Sequence, residues 1–117
     1  MFQFEMFRNE VSITYRAGDV IFAIGDPAES MYVVVEGEVE IRIGDALLDQ
    51  IGPGSVFGEM ALVAGEPRSA TARAATDCRV VEISQKRFLF LVQQTPFFAL
   101  ELMRVIAARL RRRDPHP

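Results

Sequence analysis

Hydrophobic and polar positions alternate through the first two-thirds of the chain in short runs, each stopped by a glycine-containing turn. Val11 to Arg16 alternates, Ala17-Gly18-Asp19 turns it, and Val20 to Ile24 runs on to Gly25-Asp26-Pro27. A period of two broken by such residues predicts strand, turn, strand, turn. Met31 to Val35 is rich enough in β-branched residues for a buried strand, and Glu36-Gly37 links it to Val39 to Ile43, whose strict alternation predicts one wet face. Gly44-Asp45 then opens Ala46 to Ile51. Beyond Gly52-Pro53-Gly54, Ser55-Val56-Phe57 leads into a short helix between Gly58 and Gly65, with strands from Ala70 to Ala74 and Arg79 to Ile83 after it. Strands at intervals of roughly 8 to 12 residues predict a mainly β fold, an antiparallel jelly roll or β-roll barrel over 11–83.

The period changes at Ser84, a good N-cap for a helix over 85–94 whose face is Phe88, Leu89, Leu91 and Val92. Pro96 suits a first helical turn, and Ala99, Leu102, Met103, Ile106 and Leu110 follow helical spacing through a second helix over 97–113. These two C-terminal helices are expected to pack on the barrel. At 117 residues the chain is expected to be one domain spanning 1–117. It ends four residues after Arg113, so neither a helix-turn-helix nor an effector domain is expected.

Composition narrows the chemistry. Half the residues are hydrophobic and a quarter are charged, the balance of an ordinary globular domain. The single Cys78 can form neither an internal disulfide nor a cysteine-based zinc site, and a reducing cytoplasm fits it best. The only histidine, His116, lies between Pro115 and Pro117 in what reads as an exposed tail. With it go the usual general base and the usual metal ligand, so neither an enzyme nor a metal site is expected, and a cupin-like enzyme, which needs clustered histidine ligands, is nearly excluded. No apolar run approaches the roughly 20 residues of a membrane span, and Glu5 and Arg8 interrupt the N-terminal apolar residues, so no signal peptide is expected.

Net charge is −3, divided unevenly: −9 up to Glu66 and +6 from Pro67 onward. Arg109, Arg111, Arg112 and Arg113 read as a solvated helix end whose cations oppose the C-terminal dipole, not as a nucleic-acid surface, since no recognition module accompanies them.

Phe57 to Thr71, FGEMALVAGEPRSAT, concentrates the remaining chemistry. Gly58 lets the backbone approach a ligand, and the first helical N–H groups, near Met60 and Ala61, are expected to be free for an anion. Arg68 is the first basic residue after Arg42, so its guanidinium looks placed for an oxyanion, with the Ser69 hydroxyl and N–H beside it. Ionised Glu59 can only accept, so its ligand partner is a hydroxyl. A ribose phosphate satisfies all of these. The residue chemistry leaves one alternative open, an Arg68–Glu59 pair that merely fastens the loop.

The same segment resembles the phosphate-binding cassette of the cyclic nucleotide-binding domain family, and the similarity extends to AGDVIFAIGDPAESMYVVVEGEVEI, the Gly52-Pro53-Gly54 break and ATDCRVVEISQKRF. The resemblance implies that Arg68 pairs with the exocyclic phosphate oxygens and that Glu59 accepts from the ribose 2'-OH. It further implies that Ala61 and Ser69 complete the cradle, with Gly58 and Met60 against the sugar. Ile41, Leu48 and Ile51 would line the base pocket, although apolar alternation also makes them barrel core. Arg109 or Arg113 could close over the base as a lid, against the alternative of solvated arginines. The implied ligand is cAMP or cGMP, with no cofactor. The implied output is movement of the C-terminal helices, read by a protein effector in trans, from a monomer or weak dimer. The other reading is a ligand-free interaction module of the same fold.

Overall fold

A computed structural model describes residues 4–113; His116 lies outside them. After a single 3-10 turn at Glu5–Phe7, the chain forms β1 (Ile13–Tyr15), β2 (Val20–Phe22), β3 (Ser30–Glu36), β4 (Val39–Ile43) and β5 (Ala46–Ile51). Then come β6 (Val56–Phe57), α1 (Glu59–Ala64), β7 (Thr71–Ala74), β8 (Cys78–Ser84), α2 (Gln85–Gln94) and α3 (Pro96–Arg113). The strands make two four-stranded antiparallel sheets, ordered β1-β8-β3-β6 and β2-β7-β4-β5, which is the expected β-roll. Packing divides the chain into two compact units, Met1–Gln85 and Lys86–Pro117.

In the first unit, inward residues of both sheets share one core. Tyr32, Val34, Phe57, Cys78 and Val80 come from one sheet, and Val39, Ile51, Ala72 and Ala74 from the other. β3 is buried on both faces from Ser30 to Val35, because Met31 and Val33 are sealed as fully as Val34. The wet face predicted for β4 is an ion-pair network: Glu40 holds Arg42 and Arg73, each at 3.0 Å.

Three strands differ from the sequence pattern by more than a single residue at an end. β2 stops at Phe22, short of Ile24, because the next backbone donors serve other acceptors: Ala23 N–H the Asp26 carboxylate, Ile24 N–H the Thr71 hydroxyl. β1 is likewise shorter than Val11 to Arg16. β6, read from sequence only as a lead-in, is a strand because Val56 and Phe57 pair with Val33 and Tyr32.

The second unit needs a correction. In α3 the buried residues are Phe98, Leu102, Val105 and Arg109, whereas Met103 and Leu110 are exposed. The stripe is therefore rotated from Ala99, Leu102, Met103, Ile106 and Leu110. Apolar residues surround most of this helix, and counting only apolar positions hid a face that includes an arginine stem. In α2 Leu91 is buried while Leu89 and Val92 are exposed, and Phe88 meets Phe98 edge-on at 6.3 Å. Among the described residues no single helix is long and apolar enough to cross a membrane; α2 and α3 are bent by 113°.

Candidate functional site

Arg68 sits in the loop between α1 and β7, which backbone bonds stitch to the β2–β3 connection. Arg68 N–H donates to Asp26 O and Gly25 N–H to Arg68 O, both at 2.8 Å. The arginine is thereby turned inward and is only 4% exposed. Its Nη1 donates to the Gly58 carbonyl at 2.6 Å and its Nη2 to the Ser30 carbonyl at 2.5 Å. The guanidinium carbon lies 4.0 Å from the centre of the Phe22 ring. Nε is buried with no hydrogen-bond partner. Burial pushes the guanidinium pKa down, and the neighbouring Tyr32 and Asp26 oppose that shift.

Among the described residues Arg68 has no carboxylate at ion-pair distance. The Arg68–Glu59 fastening is thus not the arrangement found: two carbonyls and an aromatic face hold the cation. Such a group keeps its charge and its desolvation cost while retaining donor capacity, which is the condition under which an arriving anion gains most.

Gly58 brings the backbone to this cation. Its φ of 79° is left-handed, and a Cβ there would stand 2.9 Å from Arg68 Nη1 and 3.2 Å from Phe22 Cε2, so any larger residue meets both strain and collision. Glu59, first in α1, is buried to 2% exposure, and its carboxylate accepts the Met60 N–H at 3.1 Å. This corrects the expectation that the Met60 donor is free: an acidic side chain at the start of a helix can reach back to the nearest N–H. Ser69 is exposed beside Arg68, and Met60 and Ala61 are half-buried on α1.

The three residues proposed for a base pocket separate. Ile51 is in the inter-sheet core and Ile41 packs against it. Leu48, about half exposed, falls where the β4–β5 register slips between Ile41–Asp49 and Arg42–Leu47, so it is an extra residue at a bulge. Arg109 is buried, at 8% exposure, which overturns its reading as a solvated helix end. The side chain of Arg113 lies outside what the structure describes. Among the described residues no group of three or more His, Cys, Asp or Glu could hold a metal.

Sequence reasoning missed the aromatic wall. Phe22, Tyr32 and Phe57 come from β2, β3 and β6, with ring centres 5.0 Å apart for stacked Tyr32 and Phe57 and 6.0 and 6.1 Å from Phe22 to each. Nothing local marks these as a group. Burial, and secondly the Glu82 carboxylate, push the Tyr32 hydroxyl pKa up to about 12.

Comparison with known proteins agrees with this arrangement of strands and helices. The family model of the cyclic nucleotide-binding domain matches residues 12–95, and the chain belongs to that family. It is 42% identical over 98 residues to a cyclic nucleotide-gated potassium channel of Mesorhizobium japonicum, covering 84% of this chain and 27% of the channel. The crystal structure of the Thermus thermophilus catabolite activator protein superimposes with a TM-score of 0.82 at 30% identity, over 96% of this chain and 55% of that one. The EAL enzyme Bd1971 in its cAMP-bound form matches at TM-score 0.67 and 32% identity, over 86% of this chain and 28% of the enzyme. Its cGMP-bound form matches with the same TM-score at 33% identity, over 87% and 28%. The chain spans about half or less of the length of the curated relatives it matches.

Proposed function

We propose that this chain binds cAMP or cGMP as a regulatory ligand and does not turn it over. The observation that carries the reading is Arg68: a buried guanidinium with an unpartnered Nε–H and no carboxylate at ion-pair distance among the described residues. In this reading Arg68 pairs with the exocyclic phosphate oxygens, and the backbone of Ala61 and Ser69, with the Ser69 hydroxyl, completes the cradle. Gly58 and Met60 lie against the sugar, and Glu59 accepts from the 2'-OH. Ile41 and Leu48 offer the purine apolar contact, while Ile51 contributes from the core. The neighbours solved with cAMP and cGMP support the ligand class. Binding is passed on through the C-terminal helices to a protein effector in trans.

Calorimetric titration with cAMP, cGMP and 5'-AMP tests the proposal, because it separates binding, base preference and the need for the cyclic ester. The wild-type chain is expected to bind a cyclic nucleotide more tightly than 5'-AMP. Arg68→Ala is expected to weaken it at least about a hundredfold, since a buried phosphate then keeps its charge without a partner. Glu59→Gln is expected to be milder, and to matter little for the 2'-deoxy analogue. Near-wild-type binding by Arg68→Ala removes the assigned role, and no binding of any cyclic nucleotide leaves a ligand-free interaction module.

A further inference from the structure

We propose that Phe22 is a positioning residue for anion recognition, its ring face taking the place that a counter-ion would occupy beside Arg68. The inference rests on the reading of Arg68 as the phosphate-binding group. Nη1 and Nη2 are tied at the plane's edge by the Gly58 and Ser30 carbonyls, and the Phe22 ring lies 4.0 Å away. Nε has no partner, and one N–H of each Nη serves neither carbonyl.

The ring attracts a cation through its quadrupole yet accepts none of the in-plane N–H bonds. A carboxylate in the same place would hold Arg68 equally well, but it would neutralise the charge and occupy the donors that an incoming anion needs. An aromatic face therefore solves two requirements together: it partly offsets burial of the cation, and it keeps the donor edge open.

Phe22 is itself held. Tyr32 and Phe57 stack on each other at 5.0 Å and stand 6.0 and 6.1 Å from it. Gly58 admits the ring edge to a spot where a side chain would collide with both Phe22 and Arg68. The guanidinium is thus held against Phe22 on one side and the Gly58 backbone on another, so its orientation is set before ligand arrives.

Two measurements test this. In the first, nucleotide-free wild-type protein is studied by NMR. The Arg68 side-chain protons are expected to be shifted upfield by the ring current of Phe22, and ordinary free-arginine shifts overturn the proposal. In the second, cAMP and cGMP are titrated calorimetrically into wild type, Phe22→Leu and Phe22→Tyr. The leucine variant keeps apolar bulk without the aromatic face and is expected to bind about tenfold more weakly, whereas tyrosine restores affinity to within about twofold. Equal loss in both variants means generic packing and overturns the proposal, as does unchanged binding by Phe22→Leu. If wild type binds neither nucleotide, the phosphate-site reading fails first and takes this inference with it. Binding by wild type that the leucine variant keeps defeats the role of Phe22 alone.

Discussion

Arg68 and Tyr32 show how a single side chain acquires its properties from residues far along the chain. Arg68 was legible in the sequence as the first cation after a long acidic stretch, but its burial against two carbonyls was not, because those carbonyls belong to Ser30 and Gly58. Tyr32 carries a consequence in pH. Its folded pKa of about 12 lies above the ordinary value of 10.0, so the phenol stabilises the fold fully below pH 10 and that contribution is lost as pH rises towards 12. Urea unfolding at pH 8, 10 and 11 is expected to show the wild-type midpoint falling above pH 10. Tyr32→Phe is expected to fall less steeply, and parallel curves contradict the assignment.

At the scale of elements, β4 and β5 were legible to the residue, because each is bounded by turn residues that no strand interior tolerates well. α3 was legible in extent and wrong in face. Phe98 is 2% exposed and Leu110 50%, although apolar periodicity had chosen Leu110 for the stripe. Phe98→Ala is therefore expected to cost about 3 to 5 kcal/mol in chemical denaturation, the range for emptying a buried aromatic site. Leu110→Gln is expected to stay within about 0.5 kcal/mol, as exposed substitutions do. The reverse ranking would restore the stripe read from the sequence. β6 illustrates another limit: two residues cannot declare a period, and only pairing with β3 makes them a strand.

At the scale of the molecule, the β-roll was recoverable from strand spacing while the order of its strands was not. β1 lies beside β8 and β2 beside β7, so the first strands of the roll pair with its last. If ligand binding is passed to the C-terminal helices, hydrogen exchange with and without cAMP is expected to show changed protection across Pro96 to Arg113. Unchanged protection there, in protein saturated with nucleotide, removes the switch while leaving the binding site standing.

By itself the sequence determined the alternation of strand and turn, the shift to helical period after Ser84, and the short cassette holding Gly58, Glu59, Arg68 and Ser69. These are local matters: the parity of side chains and the conformations open to glycine and proline act over a few residues. Only the tertiary structure decided that Phe22, gathered with Tyr32 and Phe57, lies beneath the Arg68 guanidinium, that Leu48 sits at a bulge, and which side of α3 is hidden. Those outcomes depend on which distant surfaces exclude water together, and a one-dimensional pattern carries no record of its partners in space.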